Sequence, residues 1–203
     1  MLHKIPWTLI DPFLHGFQYL TENDVIYYHL DYTRGGYSQS PANQWVLNYK
    51  KGIEHRGEKQ WYYKEKAIEK FANLIIQTSI NGNVVLLAGP PSKHPNSELF
   101  DSRNEDVLNI VHTNTGIPIS FNLKAIKDFE PTHIQSGYRH PDLLRGLYSF
   151  EPFENVPDIV FIVDDVITSG SHFVVWRDLI HQEHSNVEVR GLYLARTVNF
   201  EIL

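Results

Sequence analysis

The chain has 203 residues, is 42% hydrophobic and 21% charged, and carries a net charge of −6 with a sequence pI of about 6.0. These values fit one soluble globular domain with a substantial core, and the acidic balance argues against an extended nucleic-acid surface. The absence of cysteine excludes disulfides, thiolate nucleophiles and cysteine-ligated zinc, and no apolar run approaches the roughly 20 residues needed to cross a bilayer; the expectation is a cytoplasmic protein with neither a membrane nor a nucleic acid as partner.

Residues 1–58 read as a β-rich N-terminal hood, with strands over VIYYHLDY (25–32) and QWVLNYKKG (44–52) and a turn-rich loop at 33–43 between them. Residues 59–203 read as an α/β core. The spacing of Tyr63, Ala67, Ile68, Phe71, Ala72, Leu74 and Ile75 predicts an amphipathic helix over 60–77. VVLLAG (84–89) is a short continuous apolar run, which suits a strand buried on both faces. A loop (90–97), a helix (98–112), a strand (117–121) and a long polar, basic stretch (123–146) follow. DIVFIVDD (158–165) predicts a buried strand, residues 172–184 a helix and VEVRGLYLA (187–195) a last strand. Alternation of helices and strands predicts a mainly parallel sheet flanked by helices.

The chemistry concentrates in VDDVITSGS (163–171). In open α/β sheets ligands bind beyond the carboxyl ends of the strands. Asp164 and Asp165 stand at such an end. Thr168, Ser169, Gly170 and Ser171 form the turn into a helix, where unpaired N–H groups and the helix dipole favour an anion. Glycine lets the backbone approach that anion closely. The carboxylates would repel a phosphate but accept hydrogen bonds from hydroxyls. A ligand with a phosphate at one end and vicinal hydroxyls at the other satisfies both, and ribose 5-phosphate has that shape. In the bland alternative an aspartate caps the turn and the Ser/Gly loop is an ordinary helix start. There is no GxxxxGK[ST] and no GxGxxG. The eleven histidines show no tight ligand spacing, so a transition-metal site is not expected.

VDDVITSGS resembles the 5-phosphoribosyl 1-diphosphate (PRPP) motif of type I phosphoribosyltransferases. The resemblance implies that the acidic pair binds the ribose hydroxyls and the loop binds the 5-phosphate. His172 stands where many members carry a small or hydroxyl residue; its imidazole is either a further phosphate donor or a helix cap. In that family the loop after the first core strand binds pyrophosphate. Here it is AGPPSKHPNSELFDSR (88–103), with Gly89, Pro90, Pro91, Ser92 and the ammonium of Lys93 in the loop and Arg103 reaching from the next helix; a solvated loop lysine is the alternative for Lys93. A long loop between the second and third core strands closes over the site, and 123–146 occupies that position, with Lys124, Lys127 and Arg139 as candidate cations. PPSK, FDSR, THIQSG (132–137), GLYSF (146–150) and YLARTV (193–198) are nearest to the ComF-like subgroup, without its cysteine-bearing zinc module.

The resemblance further implies a transferase that uses Mg2+, held by Asp164 and Asp165 directly or through water, and moves the 5-phosphoribosyl group to a small-molecule nitrogen acceptor. Six-oxopurine enzymes of the family place an aspartate where this chain has Thr168, so hypoxanthine and guanine are disfavoured. Tyr28, Tyr32, Arg34 and Trp45 in the hood are candidates for holding the acceptor, or form a hydrophobic layer over the sheet. The alternatives in function are a PRPP-binding regulatory protein without transfer chemistry and a ComF-like accessory in nucleic-acid metabolism. Many members of the family are homodimers.

Overall fold

The structure, a computed structural model, describes residues 6–129 and 140–198. Its elements run β1 (Thr8–Leu9), β2 (Val25–Thr33), α1 (Pro41–Tyr49), α2 (Trp61–Ile76), β3 (Val84–Ala88), α3 (Arg103–Thr115), β4 (Ile119–Ser120), β5 (Leu123–Ala125), α4 (Pro141–Leu144), β6 (Tyr148–Phe150), β7 (Ile159–Ile167), α5 (Ser171–Glu183) and β8 (Glu188–Val198). Six strands form the central sheet in the order β1-β2-β8-β7-β3-β4, and β5 and β6 pair as a separate antiparallel ribbon. Every central pairing is parallel except β1 with β2. The expected α/β architecture with a mainly parallel sheet between helices is therefore present.

The sheet divides the core into two layers, and the period-2 alternation of β7 decides which side chain enters which. Val160 and Ile162 join a cluster with Phe173, Val175, Trp176 and Ile180 of α5. Phe161 and Val163 join the opposite cluster with Trp45, Val46 and Tyr49 of α1, Phe71 and Ile75 of α2, and Val107, Leu108 and Val111 of α3. A strand buried on both faces has to be apolar at consecutive positions, which is why FIV precedes the acids in the sequence.

The N-terminal segment departs most from the sequence reading. β2 is not set apart from the core; it lies in the central sheet, in parallel register with β8 from Val25↔Arg190 to Thr33↔Val198. Residues 44–52, read as a strand, lie largely in helix α1. The helix starts where Ser40 accepts a hydrogen bond from the Asn43 amide at 3.0 Å and Pro41 occupies the first turn. Those two start signals, and a buried face of Trp45, Val46 and Tyr49, outweigh the strand preference of the aromatic and β-branched residues. In α2 the expected apolar face is buried except for Tyr63, which is exposed. Lys64 is buried in its place, at 1% exposure, because its ammonium meets two carbonyls and a carboxylate, described below.

A stretch before β2 lies over the sheet's edge. Trp7 enters the α1–α3 layer, and Ile10, Phe17 and Leu20 enter the α5 layer. Buried Asp24 fastens this arm to α5 through an ion pair with Arg177. Of the candidate lid (123–146), β5 pairs with β6 just beyond its end and α4 is a short helix; Arg139 and the THIQSG stretch (132–137) lie outside the described residues. Among the described residues no helix is long and apolar enough to cross a membrane.

Candidate functional site

The carboxyl ends of β3, β7 and β8 meet at one end of the sheet, and the motif residues lie there. Gly89 follows β3 directly. Its N–H donates to the Val163 carbonyl at 2.8 Å, and a Cβ at this position would stand 2.9 Å from the Asp164 Cβ. Only glycine lets the β3 loop approach the acidic pair this closely. Asn104, buried in the first turn of α3, spans the gap: its amide nitrogen donates to the Gly89 carbonyl at 2.7 Å and to Asp164 Oδ1 at 2.9 Å. Its carbonyl oxygen accepts the Tyr49 hydroxyl at 2.7 Å. Three segments remote in sequence are thereby tied to Asp164.

The two aspartates, adjacent in the chain, have different surroundings. Asp165 is 4% exposed. Its Oδ1 accepts from the Lys50 ammonium at 3.1 Å and from the Val166 amide at 2.6 Å, and its Oδ2 accepts from Arg103 Nη2 at 2.7 Å. Burial acts to raise its pKa, but Lys50 and Arg103 outweigh burial and hold it below the ordinary carboxylate range. Asp164 is half-buried and, among the described residues, has the Asn104 amide as its one side-chain donor. Burial and the neighbouring Asp165 charge push it up to about 7. The pair thus reads as one fixed carboxylate and one that takes up a proton near neutrality.

A second layer of charge lies behind them. Arg103 Nη1 pairs with Asp101 at 2.6 Å, and the Arg103 Nε is buried without an acceptor among the described residues. Lys64 Nζ also reaches Asp101 at 2.7 Å and donates to the carbonyls of Tyr49 at 3.1 Å and Lys51 at 2.7 Å. The row Lys50, Asp165, Arg103, Asp101, Lys64 alternates in sign throughout, the arrangement in which buried charges stabilise one another. Arg103, expected to reach a diphosphate, is held here between two aspartates.

On the other side of the strand end, the hydroxyl loop turns into α5. Gly170 adopts φ +84, left-handed backbone that side-chain-bearing residues disfavour. Ser169 Oγ donates to Ser171 Oγ at 3.1 Å and accepts from the Ser171 amide at 3.4 Å. Thr168 Oγ1 and Thr197 Oγ1, from β8, are 2.8 Å apart. The N-terminal arm covers the loop: the Tyr19 amide donates to the Ser169 carbonyl at 3.2 Å, and a Cβ on Gly170 would stand 2.5 Å from the Leu20 side chain. His172 turns toward the ribbon, its Nδ1 2.8 Å from the Tyr148 hydroxyl, and joins β6 to the start of α5.

The other candidates are dispersed. Pro90, Pro91, Ser92 and Lys93 follow Gly89 and are half-buried. The Ser92 carbonyl accepts from the Phe129 amide at 2.9 Å, and Asp128 accepts from the His94 amide at 2.8 Å and Ser97 Oγ at 2.9 Å, so the β3 loop is fastened to the near flank of the candidate lid. Lys124 pairs with Glu151 at 3.0 Å on the ribbon, and Lys127 is exposed. The candidate acceptor residues do not converge. Tyr28 is buried in the α5 layer with the Arg196 guanidinium 4.7 Å from its ring centre, whereas Trp45 is buried in the opposite layer and donates its indole N–H to the Ala67 carbonyl at 3.1 Å. Tyr32 packs against that second layer and Arg34 is exposed.

Lys50, Lys64, Asp101 and Asn104 escaped the sequence reading. Lys50 lies in the segment expected as a strand and Lys64 off the apolar face expected for α2; Asp101 lies within FDSR and Asn104 just after it, beside Arg103, whose cation alone suggested a phosphate contact.

No protein-family model matches the chain, and no curated protein matches it. Among solved structures it is similar to an adenine phosphoribosyltransferase from Leishmania tarentolae, at 10% identity and a TM-score of 0.43, over 93% of this chain and 94% of that one.

Proposed function

We propose that the protein binds PRPP and transfers its 5-phosphoribosyl group to a small nitrogen acceptor, releasing pyrophosphate. The observation that carries this reading is the meeting, at one end of the sheet, of a half-buried Asp164, a left-handed hydroxyl loop entering α5, and a glycine that brings the β3 loop against the acid. In this reading a ribose diol would meet the carboxylate, a 5-phosphate the α5 loop and a diphosphate residues 89–93.

In the reaction the bond between C1 of the ribose and the diphosphate oxygen breaks, its electron pair leaves with pyrophosphate, and the acceptor nitrogen supplies the pair for the new C1–N bond while its N–H proton passes to water or to the departing pyrophosphate. The chain's part is to orient the ribose and to surround the leaving oxygens with positive charge. Among the described residues no group of three or more histidine, aspartate or glutamate side chains could hold a metal by itself. Mg2+ typically uses one or two protein carboxylates plus substrate phosphates, and Asp164 fits that limited role; Asp165 is already occupied by two cations. When bound with the diphosphate, the ion would neutralise charge on the leaving group.

Calorimetric titration of PRPP with Mg2+ into the wild type and Asp164→Asn tests the reading. Micromolar binding that the variant loses is the expected result; no binding to the wild type would overturn it. A second reading, a PRPP-responsive regulatory protein, is favoured by the internal ion pairs that satisfy Asp165. A panel of nucleobases assayed for pyrophosphate release separates the two: turnover with any acceptor supports transfer, and binding without turnover supports the regulatory reading.

A further inference from the structure

Asp165 carries two cations, and they are not equivalent. Arg103 is 17% exposed and spans Asp165 and Asp101 with both terminal nitrogens. Among the described residues the Lys50 ammonium makes a single hydrogen bond, and its side chain is 32% exposed. The backbone that carries Lys50 is nevertheless fixed, since the buried Lys64 ammonium holds the carbonyls on both sides of it, Tyr49 and Lys51. A fixed backbone carrying a partly exposed side chain with one partner suits a cation that changes partner. Lysine is also the chemically apt residue, a flexible point charge rather than a planar fork.

We propose that Lys50 is an anion-binding residue of the site: on ligand entry its ammonium leaves Asp165 for the diphosphate, and the vacated Asp165 Oδ1 accepts a hydroxyl of the same ligand. The step rests on the PRPP reading for the identity of the ligand, and it defines the ligand class more narrowly, as a molecule bearing a diol and a diphosphate together. Asp165 keeps Arg103 and the Val166 amide throughout, so the exchange strands no buried charge. A ligand with a diol alone would have to displace Lys50 without offering it a new partner, and a ligand with a diphosphate alone would leave Asp165 Oδ1 with one donor, the Val166 amide, in place of two. Either fragment therefore binds more weakly than the two joined.

Titrations of inorganic pyrophosphate and of PRPP, each with Mg2+, into wild type, Lys50→Met and Lys50→Arg test this. Wild type is expected to bind pyrophosphate, Lys50→Met to bind it about tenfold or more weakly, and Lys50→Arg to recover most of the loss, as a contact through charge requires. If Lys50→Met does not fold, by circular dichroism, Lys50→Gln takes its place, keeping a donor for Asp165 without the charge. Equal pyrophosphate affinity in wild type and the neutral variant, or no pyrophosphate binding by wild type, overturns the inference. Pyrophosphate binding that depends on Lys50 together with no PRPP binding would keep the anion role of Lys50 and overturn the PRPP reading instead.

Discussion

The two halves of the motif, three residues apart, are held by opposite kinds of force. The acids at 164–165 are held from the α1–α3 face by an alternating row of charges and by Asn104. The hydroxyl loop at 168–171 is held from the α5 face by backbone geometry and by the apolar arm residue Leu20. The charge row sets the protonation and availability of each carboxylate, whereas the loop's shape follows from one left-handed glycine and a tight cover. Damage to the first should therefore be electrostatic and dependent on pH; damage to the second should be steric and independent of it.

The sharpest break is expected at Asp165. Asp165→Ala leaves Lys50 and Arg103 facing an apolar methyl, and loss of one partner from a buried ion pair costs about 3–5 kcal/mol. Thermal denaturation should show a fall on the order of 10 °C for a chain of this size; a change within experimental error would mean that the charge row contributes nothing to stability.

Gly170→Ala should cost about 2 kcal/mol, from the left-handed backbone and the contact with Leu20. A double-mutant cycle with Leu20→Ala separates the two causes. The double variant should be more stable than the sum of the single changes implies, by roughly 1 kcal/mol, at pH 5 and pH 8 alike. Strict additivity would place the whole effect in the backbone.

Asp164 offers the opposite sign. Its pKa is raised to about 7, so from about pH 4, where an unfolded aspartate ionises, up to about 7 the folded state retains a proton that the unfolded chain has lost. Stability from this group is present at low pH and declines as pH rises through that window. Asp164→Asn removes the decline. The variant should be more stable than wild type at pH 8 by about 1–3 kcal/mol, and the difference should shrink toward pH 4, as read by urea denaturation at both. Asp165, with its depressed pKa, contributes stability above about pH 4 that is lost on further acidification. A wild type that matches or exceeds the variant at pH 8 would show that Asp164 is not burdened by burial.

A loss comparable in size to that at Gly170, and smaller than that at Asp165, is expected at Lys64→Met, the last member of the charge row. The change leaves two carbonyls and Asp101 without that donor, but Asp101 retains Arg103, so a loss of about 1–3 kcal/mol is expected. A loss as large as that of Asp165→Ala would mean that Lys64, not Asp165, is the centre of the row.

What short-range pattern can express was legible before folding. The apolar run of β7, the acids after it, the Thr-Ser-Gly-Ser turn and the start of α5 follow closely in the chain, and each follows from local rules of strand burial, glycine conformation and helix entry, although β7 continues past the acids to Ile167, where pairing with β8 extends it beyond the end expected at Asp165. Helix α2 and strands β3 and β8 were legible for the same reason. The strand expected over 44–52 failed because its residues suit either structure, and the capping at Ser40 and packing against α2 decided for the helix. Tertiary structure alone decided which charges meet. Lys50 and Asp165 are separated by 115 positions and Arg103 and Asp165 by 62, and no periodicity relates residues so distant. It also decided that Tyr28 and Trp45, both plausible partners for an aromatic ligand in a one-dimensional reading, lie in layers separated by the sheet. Side-chain chemistry is inscribed residue by residue, but its pairing depends on distances in space that only the packed sheet establishes.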